Sequence, residues 1–294
     1  MSDDRAKAPE KCDIRKEPHK VGSEENVQLN NTRLSQDKPH SARMYDYFLG
    51  GKTNYVVDRQ AAEEVLRHRP GVVVAARANR AFTNRAVKYL ALAGIRQFID
   101  IGTGIPTAPN MHEIAQSIAA DSTVVYVDND PIVLVYAEEL LDSAPEGATR
   151  YVEADATNAH AVLAAVRETG CVDFTRPVAV NLHALLHFMP DSHGPYDVVR
   201  TLIDHLAPGS YLSVSHVTGE FAPAAWQAIA DIYTNAGTPV QIRSREQIAR
   251  FFDGLQLVEP GLVVAHRWKP EPASGPSLVT DADVSLYAGI GRKV

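Results

Sequence analysis

The chain has 294 residues, enough to bury one large core or two small ones, and its 45% hydrophobic and 22% charged content is that of an ordinary globular protein. A net charge of −7 argues against DNA or bulk RNA as a partner, because such binding rests on Lys and Arg neutralising phosphates. No apolar run approaches the ~20 residues of a membrane span; the first thirty residues lack the apolar core of a signal peptide, and two cysteines, Cys12 and Cys171, supply neither a disulfide framework nor a cysteine metal site, so a cytoplasmic protein is expected.

Residues 1–40 hold eight basic and eight acidic residues among Pro, Ser, Asn and Gln. Apolar side chains such as Ile14, Val21 and Leu34 are too scattered to offset the entropy of ordering, which predicts a flexible tail. The composition changes at Ser41. Met44-Tyr45-Asp46-Tyr47-Phe48-Leu49 reads as a helical turn, and Gly50-Gly51 as a flexible joint after it. Two helices are predicted next, over Asp58–His68 and Val73–Ala93, separated by Pro70-Gly71, so that 41–95 form a helical cap. Tyr45, Tyr47 and Phe48 read either as a face packed on the main body or as a lid hinged at the glycines. Arg77, Arg80 and Arg85 read as a solvated face, any one of which can also pair with a ligand carboxylate.

The next stretch, Gln97–Thr107, ends an apolar run in Asp100 and two glycines, Gly102 and Gly104. Met111, Ile114, Ala115 and Ile118 then recur at helical spacing. This is strand, tight turn, helix, with glycine wanted where the backbone takes positive φ and a ligand approaches the main chain; an ordinary βα turn without a ligand has the same pattern. A dinucleotide fingerprint needs a third glycine where Thr107 stands, and Pro106 removes an amide donor. The turn suits a ligand laid along it better than a diphosphate capped by it, which disfavours nicotinamide chemistry.

From here apolar, β-branched runs recur at Phe98–Ile101, Val124–Val127, Arg150–Val152, Val178–Leu182 and Tyr211–Val214, each followed by a helical pattern. The alternation predicts an α/β, doubly wound, mostly parallel sheet, and ligands in such sheets bind beyond the carboxyl ends of the strands. After the second run, Asp128 can accept both ribose hydroxyls of a nucleoside, while Asp130 before Pro131 reads as a helix cap. After the third, Asp155 can accept an adenine amine with Ala156 leaving room for the ring; alternatively Asp155 or Thr157 caps the helix over Ala159–Glu168. After the fourth come His183 and His187, four residues apart, which a helical segment would bring to one face. No carboxylate or cysteine completes a zinc set at convincing spacing, so no metal is expected. His187 reads as a hydrogen-bonded, half-buried histidine. His183 is the candidate general base, since an unperturbed imidazole titrates near physiological pH.

Taken together, Asp100-x-Gly102-x-Gly104, Asp128, Asp155-Ala156, Leu182–Pro190 and Leu206-Ala207-Pro208-Gly209-Ser210 resemble the successive motifs of class I S-adenosylmethionine-dependent methyltransferases. More narrowly, Ser41–Gly51, Phe98–Thr107 and Val124–Pro131 resemble an actinobacterial family of methyltransferase-like proteins formerly catalogued as a domain of unknown function. The resemblance covers about residues 41–294. It implies a seven-stranded Rossmann-like sheet in a core over 96–294, ending in an antiparallel hairpin that Leu257–Val264 and Ser285–Ile290 can supply. It also implies S-adenosylmethionine as the cofactor, at Asp100, Gly102, Gly104, Asp128, Asn129, Asp155, Ala156 and the backbone near Asn181. Pro106 and Ser210 depart from the broader superfamily, which favours glycine at both places. Two signatures are missing: no Asp/Asn-Pro-Pro-Tyr/Phe follows the fourth strand, and no Pro-Cys nucleophile is present. The implied activity is methyl transfer to the oxygen, nitrogen or carbon of a small molecule, with S-adenosylhomocysteine as product; a non-catalytic cofactor sensor or docking protein is the alternative. Thr218–Asn235, with Trp226 and Tyr233, and Ser244–Asp253, with Phe251 and Phe252, read as acceptor-pocket candidates or as amphipathic helices covering the sheet. The oligomeric state is not legible.

Overall fold

The protein is described by a computed structural model over residues 37–130, 133, 143–271 and 278–294. Residues 1–36 of the expected tail, and Pro131 of the expected cap, lie outside the described residues. Three helices come first: α1 (Ser41–Leu49), α2 (Val56–His68) and α3 (Val72–Leu92). The body starts slightly before Ser41, since the Lys38 carbonyl accepts from Arg43 and the His40 amide donates to Asp58.

The paired glycines after α1 close a tight corner rather than a loose joint. Gly50 ends the helix at φ +82° with its amide on the Asp46 and Tyr47 carbonyls, the left-handed cap that glycine adopts without penalty. A Cβ at Gly51 would lie within 1.9 Å of the Asp46 carboxylate, which also holds the Thr53 amide and the Asn54 side chain.

Five parallel strands follow, each matching a predicted run to within three residues: β1 (Gln97–Ile101), β2 (Thr123–Asp128), β3 (Ala148–Glu153), β4 (Ala179–His183) and β5 (Tyr211–Val217). Between and after them lie α4 (Met111–Ile118), α5 (Ala159–Glu168), α6 (Pro195–Asp204), α7 (Pro223–Asn235) and α8 (Arg245–Ala249). The last part contains β6 (Gln256–Leu257), β7 (Val263–Val264), α9 (Asp281–Val284) and β8 (Leu286–Arg292). The sheet order is β3-β2-β1-β4-β5-β8-β6, with β7 also on β8. β8 runs antiparallel to β5, and β6 and β7 antiparallel to β8. The expected strand Leu257–Val264 is thus broken into two short pieces in one lane, because Pro260 has no amide to donate and Gly261 turns the chain at φ +84°.

The path runs outward from β1 to β3, then jumps to β4 on the other side of β1. Right-handed crossovers therefore place α4 and α5 on opposite faces; α4 packs with α3, and α5 with α6. The reversal between β1 and β4 is the switch point at which such sheets bind ligands. The interior of the sheet is packed with apolar side chains: Phe98, Ile99, Val125, Val180, Leu182, Leu212 and Val214 are all buried. Ser210, where glycine is usual, is buried too and accepts the Val178 amide, so the substitution ties the loop before β5 to the start of β4. Among the described residues no helix is long and apolar enough to cross a membrane.

Candidate active site

A cavity of about 470 Å3 opens at the carboxyl ends of the strands, covered by α1, the first half of α3 and α7. Of the residues singled out from sequence, Asp100, Gly102, Gly104, Asp128, Asn129, Asp155, Ala156 and His183 all line it. Asn181 does not. It sits two residues short of the β4 tip, fully buried, with its amide nitrogen 3.2 Å from the Ile99 carbonyl, and belongs to the sheet interior.

The glycine turn is built around Asp128. Gly102 and Gly104 have φ of +71° and +68°, and a Cβ on Gly102 would come within 2.6 Å of Leu185. Gly104 donates its amide to one Asp128 oxygen at 2.8 Å, and Asp130 donates its amide to the other at 3.0 Å. Each oxygen keeps a lone pair for a further donor. Burial raises the Asp128 carboxyl above its usual range, and the two amide donors oppose that shift. Asp130 takes part in a buried cluster: Arg43 Nη1 lies 3.3 Å and His40 Nδ1 3.2 Å from one of its oxygens, and Arg43 Nε donates to Asp58 at 2.9 Å. This cluster fastens α1 to the tip of β2.

Asp155 is exposed at the cavity rim, one oxygen accepting from the Thr157 amide and hydroxyl at 2.8 Å each. The α5 cap is neither of these residues but Asn158, which accepts the Ala161 amide at 3.0 Å. Asp100 is raised to about 7, by burial first and by Asp128 in addition, while Arg80 and Thr103 pull the other way. Arg80 donates to the Thr107 and Pro109 carbonyls, so it braces the β1–α4 loop instead of forming a solvated face. Arg85 donates to the Ala265 and Trp268 carbonyls and likewise is not a surface group; Arg77 is exposed.

His183 and His187 share no helix, since one ends β4 and the other sits in a single 3-10 turn, Leu186–Phe188. The His183 ring is held at both nitrogens, by Thr83 at 3.0 Å and Ser213 at 2.8 Å. The Thr83 hydroxyl also lies 3.2 Å from the Asn79 carbonyl, and in either ring tautomer the His183 lone pair faces a hydroxyl, that of Thr83 or that of Ser213. Burial, with Arg80 nearby, lowers the His183 pKa to about 3. The ring is therefore neutral, a weak base, and engaged by a hydroxyl at each nitrogen. His187 is also pushed to about 3, by burial and Arg243, and its Nδ1 is buried with no partner, against the hydrogen-bonded ring expected.

The aromatic segment of α1 is both packing face and wall: Phe48 is buried and lines the cavity, and Tyr45 lines it while donating to the Ala76 carbonyl, whereas Tyr47 turns to Glu63. Trp226 and Tyr233 line the cavity as well; Phe251 and Phe252 are buried in the body away from it. Sequence reasoning passed over Asn79 and Thr83. Their four-residue spacing on α3 forms a polar seam, in which Asn79 donates to Tyr45 and accepts from Ser215, while Thr83 meets His183. Two polar residues a helical turn apart within an apolar face were the available signal. The loop Thr238–Ile242, also in the lining, carried none. Among the described residues no three His, Cys, Asp or Glu side chains are grouped to hold a metal ion.

The family model described as S-adenosyl methyltransferase matches residues 27–294. A solved DUF574 family protein from Streptomyces avermitilis MA-4680 is 46% identical, with a TM-score of 0.85 over 89% of this chain and 100% of that one. A candidate methyltransferase from Thermobifida fusca YX is 39% identical, with a TM-score of 0.82 over 88% of this chain and 97% of its own. No curated protein matches the chain. On a family match that spans nearly the whole chain, the protein belongs to the S-adenosyl methyltransferase family.

Proposed function

We propose that the chain transfers the methyl group of S-adenosylmethionine to a small-molecule acceptor, with the adenosine moiety lying across the tips of β1, β2 and β3. The observation that carries this reading is the convergence on one cavity of Asp100, Asp128 and Asp155, one at or just beyond each strand tip, around a glycine turn whose geometry Asp128 itself fixes. In this assignment Asp128 accepts the ribose hydroxyls, Asn129 flanks them, and Asp155 uses its remaining oxygen for the adenine amine beside the small Ala156. Gly102 and Gly104 let the amino-acid end pass close to the main chain. Asp100 is the counter-charge for the donor's cationic groups, and Arg80, whose Nε is buried without a partner, is the cation available to its carboxylate.

When bound, the donor supplies a methyl carbon on a positively charged sulfur, so transfer is a displacement that annihilates charge. The chain's own part is alignment and exclusion of water. Helix α1 with Tyr45 and Phe48, the start of α3, and α7 with Trp226 close the crevice from above, so 41–95 serve as a cap on a catalytic core of 96–294. His183 positions the β4 tip as a neutral hydrogen-bonded ring, and proton removal by a side chain is not part of this reading. The two widely separated cysteines fit a reducing cytoplasm.

The test is calorimetry with S-adenosylhomocysteine, paired with mass spectrometry of a small-metabolite extract incubated with protein and S-adenosylmethionine. Binding together with a product heavier by one methylene supports the reading. Binding without product across the extract would favour a sensor.

A further inference from the structure

The cavity has two chemically different halves. All its charged lining residues, Asp46, Arg80, Asp100, Asp128 and Asp155, lie on α1, α3 or the tips of β1 to β3. The wall built from the tips of β4, β5 and β8, from α7 and from the Thr238–Ile242 loop contains no Asp, Glu, Lys or Arg. It presents Phe188, Val217, Trp226, Ile229, Tyr233 and Leu286, of which all but Phe188 are buried.

The cations behind this wall are committed elsewhere. Arg243 donates to the Leu186 and Met189 carbonyls, His216 and Asp191, and Arg69 donates to the Ala282 carbonyl and to Ser285 while lying 5.4 Å over the Trp226 ring. A carboxylate or phosphate moved into this half would lose its hydration with no opposite charge to replace it. Aromatic rings, in contrast, meet tilted or edge-on partners there: Phe188 and Tyr233 lie 5.5 Å apart at 57°, and the His187 ring stands 4.4 Å from Phe188. Two polar handles remain. The Trp226 indole Nε1 and His187 Nδ1 are both buried with no hydrogen-bonding neighbour.

We propose that this uncharged half is the acceptor subsite, and that its acceptor is a neutral aromatic molecule bearing a hydroxyl or amino group, its ring held among Trp226, Tyr233, Phe188 and Phe48. The assignment rests on the methyl-donor reading of the other half. In the step itself a lone pair of the acceptor oxygen or nitrogen forms the bond to the methyl carbon, and the carbon–sulfur pair returns to sulfur. The displaced acceptor proton leaves to water.

The experiment uses the full chain saturated with S-adenosylhomocysteine, titrated in a calorimeter with 2-naphthol, 2-naphthylamine, 6-hydroxy-2-naphthoate and 1-naphthyl phosphate. At least one neutral naphthalene is expected to bind at least tenfold more tightly than either anion. Trp226→Ala should weaken that binding at least tenfold without altering affinity for S-adenosylhomocysteine. Val240→Arg, a change at a half-buried loop position, should raise affinity for 6-hydroxy-2-naphthoate at least tenfold. Anions that bind as tightly as the neutral compounds, or no binding of either neutral compound to protein that holds S-adenosylhomocysteine, would overturn the proposal. So would Val240→Arg leaving the preference unchanged. Failure to bind S-adenosylhomocysteine at all would strike the donor reading instead.

Discussion

On the proposed assignment of Asp100 as counter-charge, the hold on a cationic donor depends on pH. In the free protein its carboxyl is raised to about 7, mainly by burial. A carboxyl of that pKa is roughly one-tenth ionised at pH 6 and nine-tenths ionised at pH 8. A bound sulfonium or ammonium favours the ionised form, so the pKa falls on binding and a proton is released below about pH 7. The Kd for S-adenosylmethionine should then fall roughly tenfold from pH 6 to pH 8, equivalent to ~1.4 kcal/mol, and level off above that. Asp100→Asn should bind more weakly and with a flat profile. Calorimetry in two buffers of different ionisation enthalpy gives both the affinity and the proton count. A native protein with pH-independent affinity over this window, or an Asp100→Asn variant with an unchanged slope, would refute the assignment. The same shift has a sign for stability without ligand. A carboxyl raised from 3.8 holds its proton more tightly when folded, so its contribution is full at low pH and is lost as pH rises from about 4 to 7. Asp100→Asn should therefore raise the Tm relative to the parent at pH 8 and leave it unchanged near pH 4.

Three further substitutions probe the neighbouring geometry. Gly102→Ala combines a left-handed backbone with a Cβ 2.6 Å from Leu185, and should lower unfolding free energy in denaturant by about 2–4 kcal/mol, part of which Leu185→Ala restores in the double variant. His183→Asn should reduce kcat at saturating donor by less than about tenfold and leave its pH dependence unaltered; a loss of about 10²–10⁴ would reinstate the ring as a general base. Arg243→Met removes a fully buried guanidinium from two carbonyls, His216 and Asp191, and should destabilise the fold by about 3–5 kcal/mol, whereas a change under about 1 kcal/mol in urea unfolding would show that the cluster holds little.

The periodic signals translated well into structure, because they report local burial. The run Val124–Val127 became Thr123–Asp128, and the helix over Ala159–Glu168 was found at the same bounds. Strand tips were legible for the same reason: Asp100 and Asp128 had to fall where the apolar runs stop. What could not be read was pairing over long sequence distance. Arg43 meets Asp130 from 87 residues away, Arg243 meets the Leu186 carbonyl from 57, and neither cluster leaves a trace in any local window. A resemblance fixes a motif's neighbourhood and not its depth: the Asn181 side chain is in the core, two residues short of His183 at the cavity edge. The surroundings of His183 were not legible either. A histidine's usefulness depends on burial and on the hydroxyls of Thr83 and Ser213, supplied by α3 and β5, which the sequence around His183 does not contain.

A crystal structure with S-adenosylhomocysteine tests the central claim most directly. The account predicts adenosine density across the ends of β1 to β3, with both ribose hydroxyls about 3 Å from the Asp128 carboxylate and the Gly104 amide still bonded to it. Density elsewhere, or an Asp128 that serves only the Gly104 and Asp130 amides while the ribose is held by other groups, would contradict it.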